Sequence, residues 1–408
     1  MTTLDVDFVR AQFPAFDEPS LQGQAFFENA GGSYTSKFVI DRLHRYYTQR
    51  KVQPYAPYKA SRVAGEEMDE ARVRLAGALN IPADDLSFGP STTQNTYVLA
   101  QAFRQMLSEG DTVIVTNQDH EANTGPWRRL ADNGIEIREW QVDRDTGFLD
   151  PADLANLLDD KVKLVVFPHV SNIVGQINPV AEICAIAQAA GAVTCVDGVS
   201  LAPHGLPDIK TLGADIYLFS AYKTYGPHQG IMYIDSGLSA RLPNQAHYFN
   251  AGSAYKRFTP AGPDHAQIAA SAGMVDYIEA VHDHHFGSGG SLAEKGRAVA
   301  ALQADHEEVL MAPLLEYLRS RNDVRLIGSD TTQGRVPTVA VGLQKAGEGV
   351  AQDLNKHGIM AGGGDFYAVR LLEGLGIDPA HGVLRLSFVH YTSAEEVEKL
   401  LKALDRTL

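Results

Sequence analysis

Between about residues 86 and 234 short apolar runs alternate with helical stretches, and this alternation constrains the fold more than any other feature of the chain. The runs at 86–88, 112–115, 135–140, 162–168, 192–197, 214–219 and 231–234 read as strands, with helical patterns such as 93–106 and 180–190 between them. Strands joined through helices need crossover connections. The pattern therefore predicts βαβ units in a mostly parallel seven-stranded sheet with helices on both faces. Residues 264–284 predict a long helix, and Gly287-Ser288-Gly289-Gly290 a flexible joint. A second α+β pattern follows, with a helix at 292–320, strands at 324–327, 338–341 and 382–387, and a last helix at 394–408. The expected organisation is a large α/β domain at 18–285 and a smaller α+β domain at 286–408, with 1–17 packing on the smaller one. A length of 408 residues agrees with roughly two domains.

Charge and composition narrow the partners. A formal net charge of -15 gives no electrostatic footprint for nucleic acid or an anionic membrane. The first residues, Met1-Thr2-Thr3-Leu4-Asp5, lack the basic flank and apolar stretch of a signal peptide, and no apolar run is of membrane-spanning length. A cytoplasmic protein is expected. Cys184 falls in a helical pattern and Cys195 in a buried-strand pattern, which fits apolar filling in a reducing compartment better than a disulfide or a metal site.

In open α/β sheets ligands bind beyond the carboxyl ends of the strands, and the chemically distinctive residues fall there. Lys223 follows the 214–219 run and enters the Gly/Pro loop Thr224-Tyr225-Gly226-Pro227, while Asp197 ends the 192–197 run. A lysine at a strand end is ordinarily a solvated surface group. Paired with an acid on a neighbouring strand tip, it suggests a pyridoxal phosphate site: the lysine can bind the cofactor's aldehyde, and the acid can keep the pyridine nitrogen protonated. Ser91-Thr92-Thr93-Gln94-Asn95 follows a strand and opens a helix, so hydroxyls and free N–H groups converge where a phosphate is favoured. A plain N-cap is the alternative for these threonines. His120 follows the 112–115 strand, where an imidazole can stack on a pyridine ring. Asn172 ends the next strand and can donate to the ring's phenolic oxygen, or can simply be a turn residue.

With these residues in one order on successive strand ends, the chain resembles the class V aminotransferase family, fold type I of the pyridoxal phosphate enzymes, and within it the cysteine desulfurase-like branch. The resemblance runs from Phe26-Phe27-Glu28-Asn29-Ala30-Gly31-Gly32 to Arg385. It implies that Lys223 is the Schiff-base lysine, Asp197 the pyridinium partner, His120 the stacking residue and Asn172 the contact to the ring oxygen. It implies phosphate ligands at Thr92, Thr93, Ser220 and Tyr222, the last where desulfurases usually carry histidine. Ser200 stands where those relatives have a glutamine. Arg385 is similar to the arginine that clamps the substrate carboxylate with two parallel hydrogen bonds, and Asn29 is placed on the substrate side. A homodimer with shared active sites is implied as well, with the loop around 248–265 reaching the partner's site.

The departures from the family pattern bear on the reaction. In Met360-Ala361-Gly362-Gly363-Gly364-Asp365-Phe366-Tyr367-Ala368, Tyr367 stands in the position of the desulfurase cysteine, and Gly362 stands where many relatives have a second arginine. Neither cysteine of this chain is placed to substitute. The expectation is an enzyme that uses an amino acid as substrate and eliminates part of its side chain without forming a persulfide. A class V aminotransferase and an epimerase related to isopenicillin N epimerase are the alternatives. A non-catalytic cofactor-binding protein is disfavoured, because Lys223, Asp197 and Arg385 are all present. Three consecutive glycines predict a mobile loop that brings Asp365 and Tyr367 over the substrate. A carboxylate there, with Gly362 removing a positive charge, biases the pocket toward neutral or cationic side chains.

Overall fold

Residues 2–408 are described by a computed structural model of the chain. Its thirteen strands are β1 (Ala25–Phe26), β2 (Leu86–Gly89), β3 (Thr112–Thr116), β4 (Glu136–Trp140), β5 (Val162–Pro168), β6 (Val193–Asp197), β7 (Ile216–Ser220), β8 (Gly230–Ile234), β9 (Arg325–Leu326), β10 (Thr338–Gly342), β11 (Ile359–Met360), β12 (Gly362–Gly364) and β13 (Val383–Ser387).

Seven of them form one sheet in the order β2-β8-β7-β6-β5-β3-β4. Pairing is parallel from β7 through β6, β5 and β3 to β4, and β8 is antiparallel to both β7 and β2. The central strands are apolar throughout because both of their faces are covered, as parallel sheets require. Side chains alternate between two cores. Val165, Phe167, Val196, Tyr217 and Phe219 pack on one face, while Leu164, Val166, Cys195, Ile216 and Leu218 pack on the other. The seven expected strands are all present, and the mostly parallel α/β fold is the one expected.

The C-terminal part builds a four-stranded antiparallel sheet, β12-β13-β10-β9, and β1 pairs in parallel with β11. Its core joins Val339, Val341, Leu384 and Leu386 to Leu310 and Leu314 of the helix Leu292–Arg319 and to Leu400 and Leu404 of the helix Ala394–Thr407. Each of these helices starts with a capping box, Ser291 with Glu294 and Ser393 with Glu396. The N-terminal segment touches both parts. Arg10 bonds Glu396 at 2.8 Å and the Tyr391 carbonyl at 2.8 Å, the Asp5 N–H donates to His285 Nε2 at 2.8 Å, and Phe13 packs edge-on against Tyr225, Tyr277 and Tyr391.

Two expectations need correction. The helix expected over 264–284 is two helices, His265–Ala270 and Ala272–Phe286, divided at Ser271. The Ser271 hydroxyl donates to the Gln267 carbonyl at 2.9 Å and lies 3.1 Å from Gln229 Oε1, a back-bonding arrangement that bends helices. The three glycines are the strand β12 and not a loop tip: Gly362 lies opposite Arg385 and Gly363 opposite Leu384. Each is a glycine for its own reason: a Cβ on Gly363 would overlap Gly347 and the Glu348 N–H of the helix Gly347–Asn355, one on Gly362 would meet the Glu28 carboxylate, and Gly364 has a φ of 140°. No helix among the described residues is long and apolar enough to cross a membrane.

The close approach at Gly363 makes a prediction. Gly363→Ala forces β12 away from its neighbouring helix and lowers unfolding stability by about 1–3 kcal/mol in a denaturant titration. Gly252→Ala, where an added Cβ meets no atom within 4 Å, changes it by less than about 0.5 kcal/mol. Equal effects of the two substitutions would contradict the packing described.

Candidate active site

The carboxyl ends of the parallel strands converge on one cavity. β6 ends in Asp197 and leads to Ser200, and β7 ends in Ser220 and leads through the turn Ala221–Lys223 to the lysine. The loop after β5 carries Asn172, the loop after β3 carries His120, and β2 leads to the helix Thr92–Met106. Thr92, Thr93, His120, Asn172, Asp197, Ser200, Ser220, Tyr222 and Lys223 all line this cavity. A larger one of about 490 Å³ shares Thr93, His120, Asn172, Tyr222 and Lys223 with it and adds Glu28, Phe366, Tyr367 and Arg385.

The electrostatics follow from desolvation. Burial lowers the Lys223 ammonium to about 8, helped by the Arg385 charge and opposed by Asp197 and Glu28. Burial raises the Asp197 carboxyl to about 6, opposed by the Val199 N–H that donates to its Oδ1 at 2.8 Å and by Lys223. Burial drives His120 down to about 3, with the Lys223 and Arg385 charges adding to it, so its imidazole is neutral. His120 Nδ1 accepts the Ala122 N–H at 3.0 Å, which leaves Nε2 as the protonated nitrogen.

The start of the helix Thr92–Met106 forms a cradle. Ser91 caps it by accepting the Gln94 N–H at 3.2 Å, and the Thr92 and Ser220 hydroxyls lie 2.8 Å apart. Tyr222 stacks on His228 with ring centroids 4.7 Å apart. Converging hydroxyls at the N-terminus of a 15-residue helix suit a phosphate. The Lys223 amine has no hydrogen-bond or ion-pair partner among the described residues, and the buried Asn172 Oδ1 has no partner either. An acid for a ring nitrogen, an unengaged amine and a phosphate cradle make a donor set that fits pyridoxal phosphate.

Around the larger cavity the arrangement differs from the expectation in several places. Arg385, 3% exposed, donates from Nη2 to Glu28 Oε1 at 2.7 Å and from Nη1 to the Asn172 carbonyl at 3.2 Å, and its guanidinium lies 3.8 Å over the Phe366 ring. Arg385, expected to clamp a substrate carboxylate, thus holds a carboxylate of its own chain. Asn29 does not line either cavity: its Oδ1 accepts the Tyr391 hydroxyl and its Nδ2 donates to the Ser387 carbonyl at 3.3 Å. Asp365 is also outside both, its carboxylate accepting the Tyr367 N–H at 2.8 Å and so closing its own turn. Tyr367, 71% exposed, does reach the rim, with its ring 5.3 Å from that of His120.

Phe366 and Tyr367 both have left-handed backbones, φ 52° and 58°, a costly conformation for residues with side chains. The turn is held by Asn172 Nδ2, which donates to the Phe366 carbonyl at 3.0 Å, and by the Glu121 N–H, which donates to the Tyr367 carbonyl at 2.8 Å. Sequence reasoning missed Glu28 and Phe366. The signal for Glu28 was a lone acid directly after the apolar pair Phe26-Phe27, one residue before the asparagine singled out instead.

Comparisons with known proteins agree with this geometry. The family described as aminotransferase class-V matches residues 25–400. The chain is 34% identical to an aminotransferase-like protein, FGM3, of Gibberella zeae, over all of this chain and 99% of that protein. It is 30% identical to a cysteine desulfurase of Yersinia pseudotuberculosis, over 98% of each. The solved apo structure of a cysteine desulfurase from Thermococcus onnurineus superposes with a TM-score of 0.85 at 24% identity, covering 100% of this chain and 98% of that one, a likeness of fold. A match across nearly the whole chain bears out the resemblance read from the strand-end residues: this protein belongs to the class V aminotransferase family, the family of pyridoxal phosphate enzymes that includes the cysteine desulfurases.

Proposed function

We propose that the protein is a pyridoxal phosphate-dependent enzyme that removes the Cα proton of an amino acid and expels part of the side chain, without forming a persulfide. The observation that carries this reading is the desolvated Lys223 amine sharing a cavity with the buried Asp197 carboxylate at the ends of adjacent strands. Bound there, pyridoxal phosphate supplies an aldehyde for amines and a protonated ring that accepts the electrons left at Cα.

The chain's own residues do the rest. Asp197, an anion at neutral pH, holds a proton on the ring nitrogen. Thr92, Thr93, Ser220 and Tyr222 would hold the phosphate near the helix start, and the neutral His120 would stack on the ring. Asn172, whose Nδ2 donates one N–H to the Phe366 carbonyl, would have its second N–H for the ring oxygen. Lys223, whose amine lies near 8 in the free protein, has a usable unprotonated fraction at neutral pH and would be the group that takes the Cα proton. Arg385, itself buried, would orient the substrate carboxylate.

The thiols support the exclusion of persulfide chemistry. Cys184 is buried and its thiol is pushed up to about 11, and Cys195 is fully buried with its thiol raised well above the ordinary range. Neither offers a thiolate to a substrate. Both are free, which fits a cytoplasmic enzyme. The same reading divides the chain into a large cofactor-binding domain at 18–285 and a small domain at 286–408, and makes it a homodimer with shared sites. The exposed aromatics Tyr248, at 89%, and Phe249, at 69%, support a covered surface in the expected loop.

Product analysis tests the function. The holoenzyme incubated with amino acids bearing β- or γ-leaving groups is expected to release the side-chain fragment with no sulfur left on the protein. A keto acid formed with stoichiometric aminated cofactor, an inverted isomer, or a protein-bound persulfide would each overturn it. Sedimentation tests the assembly: the wild type is expected as a dimer, and Tyr248→Ser with Phe249→Ser shifts it toward monomer with loss of turnover. A fully active monomer of the wild type would contradict shared sites.

A further inference from the structure

We propose that Glu28 determines the substrate specificity of this site, selecting amino acids whose side chain carries a positive charge. The proposal rests on the reading of the site as one that takes an amino acid, and it names the class.

Glu28 is placed by backbone pairing across the small sheet. It forms a parallel bridge with Ser387, the Asn29 N–H donates to the Ser387 carbonyl at 3.2 Å, and the Ser387 N–H donates to the Phe27 carbonyl at 2.8 Å. This sets its carboxylate beside Arg385, two residues before Ser387. Glu28 Oε1 accepts from Arg385 Nη2 at 2.7 Å, while Oε2 is buried and has no partner. The space exists only because two neighbours are glycine: a Cβ on Gly31 would sit 2.8 Å from Oε1, and one on Gly362 would sit 2.5 Å from Oε2.

The charge balance then selects the ligand. In the free protein, Arg385 is neutralised by Glu28. A substrate whose α-carboxylate docks on the same guanidinium brings a second anion beside Glu28 on one cation, in a region where charge is poorly screened. A cationic side chain brought into the cavity beside Glu28 restores the balance, a neutral one does not, and an acidic one adds a third anion. The wall of the cavity suits such a cation, since Tyr97 and Tyr367 line it with Glu28 and their ring faces attract ammonium and guanidinium groups, as the Phe366 ring already does for Arg385. The preference for neutral or cationic side chains expected of Asp365 thus falls to Glu28, because the Asp365 carboxylate closes its own turn.

Binding of lysine, norleucine and glutamate to the holoenzyme, followed by the visible spectrum and by calorimetry, tests the assignment. These three have side chains of similar reach and differ in charge. The wild type is expected to bind lysine about tenfold tighter than norleucine, and norleucine tighter than glutamate. Glu28→Gln keeps a hydrogen-bond acceptor for Arg385 and is expected to bring the three within about threefold. Gly362→Ala, which crowds Oε2 without removing the charge, is expected to fall between them. Equal binding of the three by the wild type would overturn the proposal, as would a lysine preference that survives Glu28→Gln. Binding of the matching diamine without a carboxylate as tightly as lysine would overturn it too, by making Glu28 a residue that excludes carboxylates. Failure of the wild type to take up cofactor on Lys223 would instead sink the functional reading from which the proposal starts.

Discussion

Desolvation of one amine and one carboxylate at neighbouring strand tips is the constraint on which the rest of the structure depends. Asp197 is the last residue of β6, paired with Leu218 of β7, and the chain continues from β7 through one short turn to Lys223. Keeping both groups out of water raises the carboxyl and lowers the ammonium, and a site does this only if its walls do not give way. The walls here are strands with apolar side chains on both faces, clamped between two cores. The fully covered parallel sheet is what allows the two polar groups to remain desolvated while facing a single cavity.

The second constraint is the meeting of the two parts of the chain at Arg385. Its guanidinium is buried, and every group around it comes from a different segment: Glu28 from the end of β1, the Asn172 carbonyl from the loop after β5, and Phe366 from the turn after β12. Because β12 pairs with β13 at Gly362 and Arg385, the left-handed turn at Phe366 and Tyr367 is anchored on the strand that carries the arginine. The Arg385 face of the cavity is therefore a preformed ion pair beside an aromatic wall.

Much of this was legible in the sequence, for physical reasons. Buried parallel strands leave continuous apolar runs, so all seven strands of the large sheet could be read, with Asp197 and Lys223 at their ends. Polar residues at strand ends with helices following are equally local signals, and Thr92, His120 and Asn172 were singled out that way, while Ser220 came only with the family resemblance. What could not be read depends on distant contacts. Glu28 and Arg385 are 357 residues apart, and nothing near Glu28 announces its partner. The glycines of β12 look like a flexible loop until the backbone of the helix Gly347–Asn355 is seen against Gly363 and the Glu28 carboxylate against Gly362. Asn29 and Asp365 were sensible candidates by type and position, but the first is held by Tyr391 and Ser387 and the second by its own turn.

The most direct test of the central claim is to incubate the cofactor-free protein with pyridoxal phosphate over a range of pH, reduce with borohydride, and map the labelled peptide. A lysine with a lowered ammonium pKa presents its reactive neutral amine at correspondingly lower pH. The label is predicted on Lys223, with an initial rate that rises through a midpoint near 8, and Asp197→Asn is predicted to weaken retention of the cofactor. Label on another lysine, or a midpoint at the ordinary value for an exposed lysine, about 10.4, would contradict the account.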